Sequence, residues 1–140
     1  MKIQVLPVRV YLEDTDAQGV VYNARYLRFI ERARTEWLRS NGIDHNELRD
    51  TANILLVLSR IEAQFRVPAR LDDMLEVTAE VDELSAVRFV FRQVIRRVPG
   101  SGELVCRARA EVACVDARTG KPRRLPAQLY LDLNGCEGKA

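Results

Sequence analysis

The sequence predicts an α+β fold in which about five long antiparallel strands form a curved sheet around one central helix. Only residues 23–40 repeat apolar side chains at helical spacing, whereas five other segments alternate apolar and polar side chains. The order is one strand, the helix and then four strands, so a single helix must cover the whole sheet. With 140 residues, the chain is predicted to be one domain over residues 1–140, and residues 133–140 are predicted to be a frayed tail.

Alternating side chains identify the strands. They are predicted over residues 5–13, 54–67, 75–81, 87–95 and 104–114. The fourth of these segments carries apolar residues on both parities, with Val90 and Val94 opposite Phe89 and Phe91. One helix cannot cover both faces of such a sheet, so the chain is expected to form a homo-oligomer, either a dimer or a tetramer.

The helix is predicted to begin at Asn23, with the Asn23 side chain as its cap, and to end at Asn41-Gly42. Its buried stripe consists of Tyr26, Ile30, Ala33 and Trp37. Residues 14–19 form the loop that leads into the helix, and residues 43–52 are polar and are predicted to be a connection.

Composition excludes several classes of function. A net charge of +2 does not indicate nucleic-acid binding, and no apolar run approaches the roughly 20 residues that cross a bilayer. The first residues lack the pattern of a signal peptide, so a cytoplasmic location without membrane insertion is expected. Three cysteines without CxxC spacing indicate reduced thiols, and His45, the one histidine, leaves little material for a Ser-His or Cys-His mechanism.

The loop before the helix carries the chemistry. Asp14 and Asp16 are presented beside the helix N-terminus, where unpaired N–H groups and the helix dipole favour negative charge. A carboxylate next to such donors is suited to attack on an acyl carbon. A metal held by this acidic pair is the alternative, but no further acids are grouped with it, so neither a metal nor a cofactor is predicted.

Two longer stretches resemble a known family. Residues 10–26 read VYLEDTDAQGVVYNARY and residues 29–36 read FIERARTE. This pattern is similar to that of the 4-hydroxybenzoyl-CoA thioesterase family of hotdog proteins. The later pieces PARLDD, residues 68–73, and KPR, residues 121–123, resemble its Tol–Pal-associated acyl-CoA thioesterase branch. The resemblance covers about residues 5–130.

The resemblance implies a single hotdog domain whose active sites lie at subunit interfaces and whose substrate is an acyl group on coenzyme A or acyl carrier protein. Its catalytic aspartate, the second acid of the Asp-x-Asp-x-x-Gly pattern, corresponds to Asp16. The amide that polarises the carbonyl corresponds to the backbone N–H of Asn23, where this branch often carries histidine. Asp16 would act either as a nucleophile that forms a mixed anhydride or as a general base that activates water.

Further residues are expected to contact the substrate. Gly19 would supply a backbone conformation that other residues avoid, or a close approach to the acyl group. The acyl pocket is expected to include Val21, Tyr22, Tyr26 and Ser59, although the tyrosines also suit a packed core. Arg88 and Arg123 are expected to bind the coenzyme A phosphates, with a solvated strand face as the alternative.

The predicted function is therefore an acyl-CoA thioesterase. The main alternative is an acyl-CoA-binding or scaffold protein with little turnover. A hydratase or dehydratase of the same fold is less well supported, because that chemistry uses a histidine near the helix start, where this chain has Asn23.

Overall fold

A computed structural model describes residues 2–98 and 102–138, with side chains described through residue 134. The elements in chain order are β1 (Gln4–Arg9), a 3-10 turn (Leu12–Asp14), α1 (Asn23–Ser40), α2 (His45–Ala52), β2 (Ile54–Phe65), β3 (Met74–Leu84), β4 (Arg88–Val98), β5 (Leu104–Asp116) and α3 (Ala127–Gly138). The predicted central helix and five strands are confirmed.

The strands form one antiparallel sheet in the order β1-β3-β4-β5-β2. Register shifts interrupt the ladders between Leu58 and Arg60, Val81 and Glu83, and Ile95 and Arg96. Such irregularities bend and twist strands, which lets the sheet curve around α1. The short β1 and the long β2 are the two edges of the sheet.

The core lies between α1 and one face of the sheet. α1 approaches β1, β3 and β4 most closely. Trp37 is fully buried, and its ring meets Phe89 and Phe91 edge-on at centroid distances of 6.2 and 5.3 Å. The Trp37 indole N–H donates to the Lys2 carbonyl at 3.0 Å, so the apolar stripe predicted for the helix faces the sheet as expected.

Two helices lie where the sequence predicted none. α2 replaces the predicted connection; Asp44 caps it by accepting the Glu47 N–H at 2.9 Å, and Leu48 is its one buried residue. α3 runs through residues 133–138, which were predicted to be frayed, and Leu133 is only 3% exposed. Burial of that side chain holds the helix against the core, so the predicted frayed tail is wrong at this position.

The first strand is also shorter than predicted. β1 ends at Arg9 rather than continuing to residue 13. The Val10 N–H donates to the Asp73 carbonyl at 2.9 Å, and the chain then turns through Leu12–Asp14. This early departure from the sheet brings the acidic loop to the start of α1. No helix among the described residues has the length and apolar character needed to cross a membrane.

Candidate active site

The loop before α1 closes on itself as a small hairpin. Thr15 and Val21 form an isolated antiparallel bridge, and the Asp16 N–H donates to the Val20 carbonyl at 2.9 Å. The Gly19 N–H returns to the Asp16 carbonyl at 3.0 Å, with Gly19 at φ +79°. The predicted need for glycine at this turn is confirmed, because this φ favours a residue without a Cβ.

The Asp16 carboxylate is anchored through one oxygen. Its Oδ1 accepts the Gln18 N–H at 2.8 Å, and the side chain is half-buried. Within residues 2–98 and 102–138, the other oxygen has neither a hydrogen bond nor an ion pair. Asp16 does not cap α1, whose N-cap residue is Tyr22 and has no side-chain cap. The carboxylate is thus oriented by the turn while one oxygen is left free to react.

The first turn of α1 presents two unused amides. The Tyr22 N–H donates to the Asp14 carbonyl, and the Arg25 N–H donates to the Tyr22 carbonyl. The N–H groups of Asn23 and Ala24 have no acceptor anywhere in the described part of the chain. The first helical turn also contains no acidic residue. These two amides and the helix dipole can therefore receive developing negative charge on a ligand oxygen.

Asn23 occupies a different position from the one predicted. It is the first residue of α1, and its side chain caps nothing, so the predicted capping role is wrong. The reason is that Tyr22 takes the extended N-cap conformation, with φ −67° and ψ 135°. The predicted role of the Asn23 backbone N–H is compatible with this geometry and stays a prediction.

Asp14, the first acid of the motif, has a structural role. It is buried, and its Oδ2 accepts the Tyr11 N–H at 2.9 Å. Its Oδ1 lies 3.7 Å from Nε of Arg25 on the first turn of α1. The two acids of the motif therefore do different work: Asp14 fixes the loop to the helix, and Asp16 faces outward.

Two residues predicted to line the acyl pocket lie in the core instead. Val21 is buried, and Tyr26 is 3% exposed, with its ring 5.7 Å from Phe65. The Tyr26 hydroxyl oxygen accepts the Ala69 N–H at 2.9 Å, and burial raises the pKa of Tyr26. Tertiary packing thus uses these side chains to hold α1 to the sheet. Tyr22, by contrast, is exposed beside the free amides.

The sequence interpretation assigned no role to the loop that completes this region. The Val21 N–H donates to the Ala69 carbonyl at 2.9 Å, and Val20 forms an antiparallel bridge with Arg70. Arg70 is exposed, and its side chain has no ion pair among the described residues. The segment PARLDD, residues 68–73, was the sequence signal that could have indicated this loop. We call residues 14–26 together with residues 66–70 the catalytic corner.

Ser59, Arg88 and Arg123 do not join the catalytic corner of their own chain. Ser59 lies six residues from Phe65 along β2, or roughly 20 Å, and donates its hydroxyl to the Glu111 carbonyl at 3.1 Å. On β5, Arg88 pairs with Ala113, whereas Phe65 pairs with Cys106. These two positions are seven residues apart, so Arg88 lies roughly 23 Å along the sheet from Phe65.

Arg123 lies at the same remote end of the sheet, because its N–H donates to the Cys114 carbonyl. Both arginines also have carboxylate partners: Arg88 pairs with Glu111 at 3.0 Å and Arg123 with Asp116 at 3.2 Å. Sequence parity predicted which face Arg88 occupies, but it could not indicate which end of the sheet. In a single chain, both arginines therefore lie at the far end of the sheet from the hairpin that carries Asp16.

A separate surface concavity lies away from this corner. It has a volume of about 600 Å³ and is lined by Glu62, Gln64, Arg92, Arg107 and Arg109 on the sheet face opposite α1. Its arginines are engaged: Arg92 with Glu80 at 2.9 Å, Arg107 with Gln64 at 2.8 Å, and Arg109 with Asp82 and Glu83. Asp16 and the free amides therefore define the candidate site better than cavity size does.

His45 begins α2, after the end of α1, and is exposed. It is therefore placed at the opposite end of α1 from the catalytic corner. Among residues 2–98 and 102–138, no three histidine, cysteine, aspartate or glutamate side chains are grouped so as to hold a metal ion.

Comparison with known proteins identifies the family of this chain. Residues 10–133 match the family model of the thioesterase-like superfamily. The chain is 43% identical over 126 residues to the acyl-CoA thioester hydrolase YbgC of Escherichia coli O6:H1, covering 90% of this chain and 92% of that protein. The match to YbgC fits the branch that the motifs predicted.

Solved structures of other proteins have the same fold. A probable thioesterase from Bartonella henselae has a TM-score of 0.80 at 35% identity, covering 89% of this chain and all of that one (100%). A variant of 4-hydroxybenzoyl-CoA thioesterase in complex with 4-hydroxybenzoyl-CoA has a TM-score of 0.84 at 22% identity, covering 95% and 99% of the two chains. The latter likeness concerns the fold alone. Together the comparisons confirm the hotdog resemblance predicted from residues 10–26.

Proposed function

The chain belongs to the thioesterase-like superfamily, and on that premise we propose that it hydrolyses the thioester of an acyl-CoA to a free acid and coenzyme A. One observation carries the proposal. A carboxylate with a free oxygen, Asp16, lies on the hairpin that leads directly into a helix end with two unpaired amides, those of Asn23 and Ala24. Acyl transfer requires both a base or nucleophile and a group that stabilises the oxyanion.

The amides act on the carbonyl oxygen. In the transition state, charge moves from the thioester carbonyl onto oxygen, and the Asn23 N–H donates to it. Backbone donors at a helix end are already oriented, so they stabilise this charge without reorganisation. Because the donor is the backbone, the side chain at this position is free to differ from the histidine expected for the branch.

Asp16 supplies the second component. Its free oxygen either attacks the carbonyl carbon, expelling the coenzyme A thiolate and leaving a mixed anhydride that water hydrolyses, or removes a proton from water that attacks directly. The thiolate is a good leaving group, so neither route requires a separate acid. Single-turnover hydrolysis in isotopically labelled water distinguishes the routes, because only the nucleophilic route can place label in the Asp16 carboxylate.

The assembly we propose is a homodimer formed along β2. This edge is 12 residues long, and Leu55, Val57 and Leu58 on it are each more than a third exposed. An unpaired apolar edge of this length favours pairing with a second strand. β1, the other edge, is six residues long and contains Pro7, which cannot donate to a ladder. Pairing of two such dimers would give the tetramer predicted from sequence.

Pairing along β2 would change which residues reach the substrate. Ser59 lies on that edge, so a partner chain would bring its own Ser59 into the interface. For the coenzyme A phosphates we propose Arg70, which is bridged to the Asp16 hairpin through Val20, in place of Arg88 and Arg123 of the same chain. Acyl carrier protein is a second candidate carrier of the acyl group, and a cytoplasmic location stays a prediction.

The alternatives make different demands on the site. A hydratase or dehydratase needs an acid-base pair at the helix start, and His45 is at the other end of α1. A binding or scaffold protein needs no turnover. Such a role would not explain why Asp16 is held by the turn with one carboxylate oxygen free. Thioester hydrolysis is therefore the function that the geometry supports best.

The test is thiol release from short, medium, long-chain and aromatic acyl-CoAs, with acyl-carrier-protein thioesters added. Wild type is compared with Asp16→Ala and with Glu13→Ala, a nearby exposed acid that forms no hydrogen bond or ion pair among the described residues. We expect release by wild type and Glu13→Ala, and a loss of about 10³-fold in Asp16→Ala. Wild-type rates in Asp16→Ala would refute the mechanism. Binding without release by any protein would favour the scaffold alternative.

A further inference from the structure

A groove runs along α1 from the catalytic corner. Two adjoining cavities, of about 350 and 290 Å³, lie between α1 and β2 and share Glu31, Arg34 and Leu58 as lining residues. We call this the acyl groove. Its lining is mixed, because α1 and the start of α2 contribute mainly charged and polar side chains and the sheet contributes apolar ones. These residues are Leu27, Arg28, Glu31, Arg34, Thr35, Leu38 and His45, then Leu56, Leu58, Ile61, Phe91 and Val112.

The position of the groove relates it to the reaction. Leu27 is four residues beyond Asn23, so the groove begins roughly 6 Å along the helix axis from the unpaired amide. It continues to Leu38, roughly 16 Å further. A thioester held at Asn23 therefore has a channel in line with its acyl group, with apolar side chains on the sheet side and polar ones on the helix side.

Among the charged side chains of this channel, Arg34 is the buried one. The side chain is 7% exposed, and its Nη1 donates to Oε1 of Gln93 at 3.1 Å. Gln93 is fully buried and oriented by its own amide, which donates to the carbonyls of Ile30 at 2.9 Å and Thr78 at 3.2 Å. The glutamine oxygen is thereby held toward Arg34.

The guanidinium retains unused donors. It carries five N–H groups, and one hydrogen bond is present within residues 2–98 and 102–138, with no carboxylate at ion-pair distance. Burial lowers the pKa of Arg34, and the negative charge of Glu31 partly offsets this. The other N–H groups of Arg34 open onto the groove, because no buried side-chain nitrogen among the described residues lacks a hydrogen-bond partner. A ligand that fills the groove can use the remaining donors.

We propose that Arg34 and Glu31 form a polar station in the acyl groove that recognises a hydroxyl group on the acyl chain of the substrate. This inference rests on the proposed thioesterase function and names the class of its substrate. A hydroxyl oxygen accepts from the guanidinium, and its O–H donates to the Glu31 carboxylate. A carboxylate on the substrate would be repelled by Glu31, and a methyl group would cover the Arg34 N–H groups without accepting from them.

Geometry sets the position of that hydroxyl. Helical side chains lean toward the N-terminus, and the contact of Gln93 with the Ile30 carbonyl places the guanidinium near residue 30. Residue 30 is seven residues beyond Asn23, or roughly 10 Å along the axis. An ω-hydroxyoctanoyl group has about this reach, which makes it the matched probe.

The test compares kcat/KM for ω-hydroxyoctanoyl-CoA and octanoyl-CoA, measured by thiol release in the same preparation. Wild type should prefer the hydroxylated donor about tenfold or more, because it satisfies charged groups that octanoyl leaves unpaired. Arg34→Met should reduce this ratio to about one. Glu31→Gln should reduce it several-fold, and it serves as the second variant if Arg34→Met fails to fold. Arg32→Met, an exposed helix arginine outside the groove, should keep the wild-type ratio.

The outcomes separate the inference from the proposed function. A wild-type ratio of about one, or a ratio unchanged in both Arg34→Met and Glu31→Gln, overturns the hydroxyl station while leaving hydrolysis intact. Preference for octanedioyl-CoA, abolished by Arg34→Met, overturns it in favour of a carboxylate. Absence of thiol release from every donor instead overturns the thioesterase function itself.

Discussion

The catalytic corner and the β2 edge differ in the kind of group that each leaves without a partner in the chain. In the corner, hydrogen bonds within the chain fix every turn of the loop, and what remains free is polar: one oxygen of Asp16 and two helix amides. Along β2, four large apolar side chains remain exposed, Leu55, Val57, Leu58 and Phe65, and one side of the strand has no neighbour in the sheet. The chain thus carries its own reactive groups, and in the proposed β2-paired dimer a second copy would complete the surroundings of the substrate.

The largest expected difference is between the effects of replacing Asp14 and Asp16, the two acids of the catalytic corner. Asp16→Ala should lower thioester hydrolysis by about 10³-fold and leave the melting temperature unchanged, because the side chain forms one exposed hydrogen bond. Asp14→Ala removes a buried carboxylate that accepts from Tyr11 and faces Arg25. That loss should cost about 2 kcal/mol, which lowers the melting temperature by roughly 5–10 °C.

Calorimetry and thiol release on the same samples check both halves of this prediction. Residual activity in Asp14→Ala should follow the folded fraction. If Asp14→Ala were fully stable and inactive while Asp16→Ala stayed active, the roles of the two acids would have to be exchanged.

Sequence alone predicted the elements that have strong periodicity. The bounds of α1, Asn23–Ser40, follow from apolar residues at steps of three and four, and the five strands follow from alternation. α2 was missed because only Leu48 is buried, so no apolar period exists. Its signal was a capping pair, Asp44 followed by Glu47, which local reasoning can detect without periodicity.

The parts of the candidate site that lie close together in sequence were predictable, whereas the parts that tertiary contacts bring together were not. Asp16 and Gly19 lie within one hairpin, so the motif placed them correctly next to the helix. Arg34 was missed because its burial depends on Gln93, which is 59 residues away in sequence. Arg70 likewise reaches the hairpin only through a tertiary bridge. Periodicity assigns a residue to a face, but only the fold assigns it to an end of the sheet.

Breaking the β2 edge should show what the assembly contributes. Val57 is 43% exposed on β2, and Val5 is 45% exposed on β1, so Val57→Lys and Val5→Lys introduce the same charge at equally exposed edge positions. Val57→Lys should convert the oligomer to monomer and lower activity at least tenfold, because a lysine on an edge opposes pairing. Val5→Lys should retain both oligomer and activity.

Light scattering combined with thiol release measures these effects. A monomeric Val57→Lys variant with wild-type kcat/KM would show that the active site is complete within one chain. Dissociation by Val5→Lys instead would place the interface on β1.

A smaller effect is expected from the turn glycine. Gly19 and Gly42 have nearly the same conformation, φ +79° and +80°, and a Cβ added at either residue would meet no other atom within 4 Å. Alanine at either site should therefore cost about 1–2 kcal/mol through backbone strain alone. Only Gly19→Ala should also reduce activity, by several-fold, because its strain displaces Asp16. Equal activity in the two variants at equal stability would mean that the hairpin tolerates this change.

The two buried thiols offer a probe of each region without affecting catalysis. Cys106 faces Phe65 beside the catalytic corner, and Cys114 faces Leu56 at the other end of the β2 edge. Burial raises the pKa of each thiol from 9.0 to about 11, so the folded protein disfavours the thiolate. Because the unfolded chain loses these protons at lower pH, the free energy of unfolding should fall as the pH rises from about 9 through 11.

At pH 8, iodoacetamide should therefore leave both residues unlabelled and the activity unchanged, as peptide mass spectrometry and thiol release can show. In Val57→Lys, whose β2 edge would be unpaired, labelling of Cys114 should rise before that of Cys106, because Val57 pairs with Ala113, the neighbour of Cys114, whereas Cys106 pairs with Phe65 at the other end of β2. Equal labelling of the two in that variant would mean that the edge and the corner open together, as one cooperative unit. Fast labelling of both in wild type would contradict their burial.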